Sequence, residues 1–180
     1  FISSSIVYSD SIPIVAIISK VFGKITTENF QYFGIWILIC FVLQGFFTIR
    51  IMQFFTAKRL FLFLTSSLMI SSPIFLWRIQ AHFALSAHFL IIAAFYAILK
   101  SHITGRHASA LWTGILIFAS LTHPYILGML FLIWLGTVMD EINIKRKSIL
   151  ITMKSAAYTI VAILFVIVFI AGYDFSQSNS

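Results

Sequence analysis

Several long stretches of this chain carry almost no charge, and most of the basic residues lie between them. From Tyr32 to Ile49 there are eighteen residues without an acid or a base, and Arg50, Lys58 and Arg59 follow. An apolar run of about that length is what a helix needs to cross a hydrocarbon core of roughly 30 Å. Hydrophobic residues make up 61% of the 180 and charged residues 9%, with mean hydropathy +1.04. A soluble domain of this size has too little interior to hide that surface, so the class is an all-α, polytopic transmembrane helical bundle. The runs are continuous rather than alternating, which argues against a transmembrane barrel. Cys40 is the single cysteine and allows no intrachain disulfide.

The formal charge of +7 invites a nucleic-acid partner. The basic residues lie between apolar runs instead, as they do in cytoplasmic loops of membrane proteins, so no nucleic-acid partner is expected. The chain starts at Phe1 and stops at Ser180, shortly after an apolar run. It therefore reads as a piece of a longer protein, with residues 172–180 starting a truncated external segment.

Residues 1–30 read as an external loop. Within it, Ile14, Ile17, Ile18, Val21 and Phe22 recur at helical spacing, Ser19, Lys20 and Lys24 mark the other face, and Gly23 ends the pattern. Ser11 can cap such a helix and Pro13 suits its first turn. At about 12 residues it is too short to span, so an amphipathic interfacial helix is expected. Six spans then follow over 31–171, at about 32–49, 60–77, 83–99, 108–122, 124–139 and 149–171.

The stretch from 108 to 139 is open to two readings. As one helix it would be roughly 45 Å long, beyond the core thickness. Thr122-His123-Pro124-Tyr125 interrupts it, and the proline either kinks one helix or separates two short spans. The positive-inside rule favours two. Arg50, Lys58, Arg59, Lys100, Arg106, Lys145, Arg146, Lys147 and Lys154 then share one side, leaving only Lys20, Lys24 and Arg78 opposite. This topology puts four polar stretches on the external face: residues 8–13, 78–82, 122–125 and 173–174.

Each candidate residue has a plain reading beside a functional one. Asp10, in Tyr8-Ser9-Asp10-Ser11-Ile12-Pro13, is ordinary turn chemistry, or it is a general base or a divalent-metal ligand. Trp77 is an interfacial anchor. Arg78 breaks the positive-inside pattern and either meets a phosphate or snorkels to lipid headgroups. His82 and His88 are about 240° apart on a helix, so they share no face. His82, at the external end, is the candidate, while His88 is a helix-packing polar group. His102 and His107 read as solvated. His123 and Tyr125 either form a plain turn or hydrogen-bond a phosphate or sugar hydroxyl. No Walker A, CxxC, HExxH, GxSxG or dinucleotide glycine pattern occurs, so soluble-enzyme chemistry finds no support.

The order of these motifs resembles the GT-C superfamily of integral-membrane glycosyltransferases, nearest to a bacterial branch. The resemblance is carried by Tyr8-Ser9-Asp10-Ser11-Ile12-Pro13, Phe30-Gln31-Tyr32-Phe33-Gly34-Ile35-Trp36, Ser72-Pro73 through Trp77-Arg78, His82, and His123-Pro124-Tyr125. It runs over most of residues 6–140. It implies transfer of a sugar from a polyprenyl-phosphate donor to an acceptor on the external or periplasmic side of a bacterial plasma membrane. Asp10 holds the position of the family's catalytic acid in the first external loop. Where many relatives place a second acid, this chain has 78–82 without a carboxylate, a departure that counts against metal dependence, with Asp10 the candidate ligand if a divalent metal is bound. Arg78, His82, His123 and Tyr125 would bind substrate. The resemblance also implies a further span before this chain and a further part after it. Two rivals are a transporter or flippase of a lipid-linked or anionic substrate, and a scaffold without catalysis.

Overall fold

The computed structural model describes residues 12–15, 18, 33–104, 108–143 and 149–170. Among them every regular element is helical. In chain order these are α1 (Phe33–Met52), α2 (Arg59–Ile70), α3 (Pro73–Ala81), a 3-10 turn (Phe83–Ser86), α4 (Phe89–Thr104), α5 (Ser109–Ser120), α6 (Pro124–Asn143) and α7 (Ile149–Phe165), which closes in a π-turn (Val166–Ile170). Residues 13–15 are also helical, but most of the expected interfacial helix lies outside the described residues.

Four stretches are long and apolar enough to cross a membrane: Phe33–Met52, Phe83–Thr104, Pro124–Asn143 and Ile149–Val168. A fifth crossing is made only if α2 and α3 count together. The sequence reading took 60–77 as one span, whereas the chain bends by 47° between the two helices. The break has a local cause. Pro73 has no N–H to continue the ladder and biases Ser72 away from helical backbone, and Ser72 has ψ 127°. α5 has 12 residues, so it is about 18 Å long and falls short of the core by itself.

Helix α6 begins at the proline of Thr122-His123-Pro124-Tyr125, and the chain turns between α5 and α6. With α2 and α3 taken as one broken crossing, successive helices alternate in direction. One end of the bundle collects the start of α1, the α3–α4 connection, the α5–α6 turn and the end of α7. The other collects the ends of α1, α4 and α6 with the start of α2.

Apolar and polar surfaces are arranged as lipid requires rather than as water does. In α1, Leu38, Val42 and Phe46 are exposed while Gln44 and Thr48 are buried. Without an apolar driving force between helices, close packing and interhelical hydrogen bonds set which faces meet. Gly45 shows the first: a Cβ built there would lie 3.0 Å from Ile70 Cδ1 and 3.0 Å from Ser66 Oγ, so α1 and α2 approach closely at this point. Gln44 Nε2–H donates to the Met69 carbonyl at 3.2 Å. That carbonyl lies at the end of α2, where the bend leaves acceptors outside the ladder. The hydroxyls of Thr113 in α5 and Thr159 in α7 are 2.9 Å apart.

Alanines thin the inner face of α4. Ala93, Ala94 and Ala97 are almost wholly buried, as are Ala84 and Ala87 just before the helix. The large rings of Trp36, Trp112 and Trp134 are buried in the same core.

Candidate functional site

The end of the bundle with the start of α1 is held together by Trp36. Its Nε1–H donates to the Phe83 carbonyl at 2.9 Å. Its ring stacks on Phe118 of α5 at 6.3 Å and meets Phe89 of α4 edge-on at 6.3 Å. One turn beyond Phe118, Thr122 is buried and its hydroxyl donates to the Phe118 carbonyl at 2.8 Å. Trp36 thus couples the 3-10 turn after His82 to the turn that carries His123.

Onto that second turn docks the N-terminal segment. The Ile14 N–H donates to the Leu121 carbonyl at 2.9 Å, and Ile12 and Val15 are buried. Asp10 itself, expected as the catalytic residue, lies outside the described residues, as do residues 173–174.

His123 has a structural task that its sequence setting only hinted at. Its Nδ1 accepts the Tyr125 N–H at 3.1 Å, across Pro124 at the first helical position. This is N-capping of α6 with imidazole in place of the usual hydroxyl or carboxylate. In the neutral ring, the proton is then on Nε2, so that nitrogen is the one able to donate. Tyr125 is exposed, with its ring on the outside of α6.

On the other side of Trp36, Arg78 is half-buried near the end of α3, and its guanidinium carbon lies 5.4 Å from the centre of the exposed Trp77 ring. His82 is exposed and caps α3, its N–H donating to the Arg78 carbonyl at 2.9 Å. His88 is half-buried, with its ring 6.0 Å from that of Phe75. It lies in the turn before α4 rather than on one helix with His82, so the helical spacing used to separate the two does not apply. Arg78 and His82 thus lie at the end of α3, just before the 3-10 turn that Trp36 bonds, and His123 and Tyr125 lie at the start of α6, just after the helix whose Phe118 stacks on Trp36. Cationic and hydrogen-bonding groups at one membrane end can receive an anionic headgroup or a sugar.

The opposite end holds a cluster that the sequence reading passed over. Tyr96 is buried there. Its hydroxyl accepts from Arg50 at 3.1 Å, and Lys100 Nζ lies 5.7 Å from its ring centre. Beyond it, the Ser101 hydroxyl donates to Glu141 at 3.4 Å, and His102 Nε2 lies 3.5 Å from Asp140 Oδ2. Glu141 is only 3% exposed, an unusual state for a carboxylate. His102 was expected to be solvated. It is half exposed, and it faces Asp140 because α4 and α6 run in the same direction and end at the same level. A signal was present in the sequence: acids in the last turn of a helix oppose its dipole and need a compensating partner. Among the described residues no three His, Cys, Asp or Glu side chains gather in a way that could hold a metal ion.

The fold and these turns define an all-helical protein whose long apolar helices suit a membrane, with polar groups gathered at each end. It belongs to the family described as "Domain of unknown function (DUF6311)", whose model matches residues 2–180. No curated protein and no solved structure matches the chain.

Proposed function

We propose that this protein is a bacterial membrane glycosyltransferase that moves a sugar from a polyprenyl-phosphate donor to an acceptor on the external face of the plasma membrane. Asp10 takes the proton from the acceptor hydroxyl, whose oxygen attacks the anomeric carbon. Polyprenyl phosphate departs, and Arg78 and His82, helped by His123 and Tyr125, offset its negative charge. A divalent cation at Asp10 would serve the same leaving group. The observation that carries this reading is the docking of residues 12–15, which follow Asp10 in the chain, on the turn that presents His123 and Tyr125.

Asp10→Asn tests it. In membranes supplied with a labelled polyprenyl-phosphate sugar, the variant should insert normally and lose transfer by about 100-fold or more, the usual contribution of a general base. Full activity in the variant would remove Asp10 from the mechanism.

A transporter or flippase of a lipid-linked or anionic substrate is the second reading. The broken α2–α3 pair favours it, because interrupted helices with exposed carbonyl ends are how many transporters build a binding site. In proteoliposomes, a transporter should carry a fluorescent lipid phosphate between leaflets without any sugar transfer. Absence of such movement would leave the transferase reading standing.

A further inference from the structure

At the end of the bundle opposite His82 and His123, two cations from different helices meet on one ring. Arg50 lies in the last turn of α1, Lys100 lies near the end of α4, and the ring is that of the buried Tyr96. The Arg50 guanidinium carbon is 5.6 Å from the ring centre and Lys100 Nζ is 5.7 Å from it, both within cation–π range. The ring itself is held in place, stacked on Phe54 at 5.7 Å and tilted against Phe47 at 6.1 Å. Arg50 uses two of its five N–H donors inside the protein, on the Tyr96 hydroxyl at 3.1 Å and on Gln53 Oε1 at 3.2 Å. The other three stay open. Among the described residues the Lys100 ammonium donates no hydrogen bond, and neither cation forms an ion pair. Asp140, at the same end, meets His102 instead.

We propose that Arg50 and Lys100 together hold the phosphate of an anionic phospholipid in the leaflet at that end. Two like charges brought to one ring without an acid repel each other, and a phosphate between them turns that repulsion into attraction. Its oxygens accept charge-assisted hydrogen bonds from a guanidinium fork and from an ammonium alike. The lipid source follows from where the cations stand. Val42 and Phe46 precede Arg50 at four-residue spacing on one face of α1, and all three are exposed. Both helices belong to stretches long and apolar enough to cross a membrane. In a membrane this face of α1 therefore meets hydrocarbon, and Arg50 marks its polar end. A headgroup phosphate lies at that depth, with its acyl chains on the apolar side. A free phosphate ion would gain nothing from the apolar stripe. The site lies at the other end of the bundle from Arg78 and does not rest on sugar transfer.

The test uses the full chain in detergent, with bound lipid measured by native mass spectrometry. Phosphatidylglycerol is the probe, and phosphatidylcholine, whose headgroup carries no net charge, is the reference. The parent should bind phosphatidylglycerol about tenfold more tightly than phosphatidylcholine, as two basic residues at a membrane surface allow. Arg50→Gln and Lys100→Gln should each weaken phosphatidylglycerol about tenfold, the loss of one charge-assisted hydrogen bond. Both side chains are exposed and lie on different helices, so misfolding of one variant leaves the other as a test. Lys154→Gln removes an exposed cation of α7 and should leave binding unchanged. Equal affinity for the two lipids, or a loss from Lys154→Gln as large as from the other two, overturns the proposal, because a diffuse positive field would then suffice. Displacement of phosphatidylglycerol by inorganic phosphate would assign the cations to a soluble anion and overturn the lipid assignment. Preferential binding of polyprenyl phosphate would overturn it in favour of an isoprenoid lipid. Because the readout is lipid binding, the result is independent of whether Asp10→Asn abolishes transfer.

Discussion

Trp36→Ala should destabilise the protein by about 3–5 kcal/mol, the usual cost of deleting a large buried ring. The ring is 1% exposed and touches the 3-10 turn, α4 and α5 at once. In lipid the loss is one of packing contacts rather than of burial from water, since lipid tails are as apolar as the core. The Phe83 carbonyl would also lose its donor. Trp36→Phe separates these effects: it keeps most of the ring contacts and loses the hydrogen bond, at about 1 kcal/mol. Equilibrium unfolding in mixed micelles measures both. The damage should be concentrated at the end that carries His82 and His123, because the two turns are coupled through this ring. A Trp36→Ala variant as stable as the parent would mean that the turns are held by other contacts.

Gly45→Leu should cost about 1–3 kcal/mol, as overpacking of a close contact does, and should loosen α2 from α1. A Cβ at this position already meets Ile70 and Ser66 at 3.0 Å, so the longer side chain can be housed only if the helices separate. Separation would take Gln44 away from the Met69 carbonyl, which keeps the Ser72 N–H, and leave the Gln44 amide without that partner in a dry interior. Gly114→Leu is the matched control, since a Cβ there meets nothing within 4 Å. It should stay within about 0.5 kcal/mol of the parent, as surface changes do. Thermal unfolding in detergent reports both, and equal losses in the two variants would show that the α1–α2 contact does not set the effect.

What was legible before the fold is where polar groups interrupt the apolar runs. Arg78, His82, His123 and Tyr125 stood out because polar groups at the ends of apolar runs are few. Pro124 marked the α5–α6 turn for a local reason, its missing N–H. Less legible was the job of His123 as a helix cap, which depends on which ring nitrogen meets the Tyr125 amide. The Ser101, His102, Asp140 and Glu141 group was missed because it joins residues some forty positions apart. Only the shared direction of α4 and α6 brings them together.

What the sequence determined by itself is the helical class, the apolar runs and the places where prolines interrupt them. Those properties are local: a run length, a lost donor, a charge at the end of a stretch. Which faces meet was decided only by the tertiary structure. In helices that are apolar on nearly every side, hydrophobicity does not distinguish an inward face from a lipid-facing one. The choice falls instead to a few small or polar residues, namely Gly45 against Ser66, Gln44 on the Met69 carbonyl, Thr113 with Thr159, and the Trp36 N–H on Phe83. Each acts only across a helix–helix contact, where an apolar residue packs closely or a polar one finds its partner.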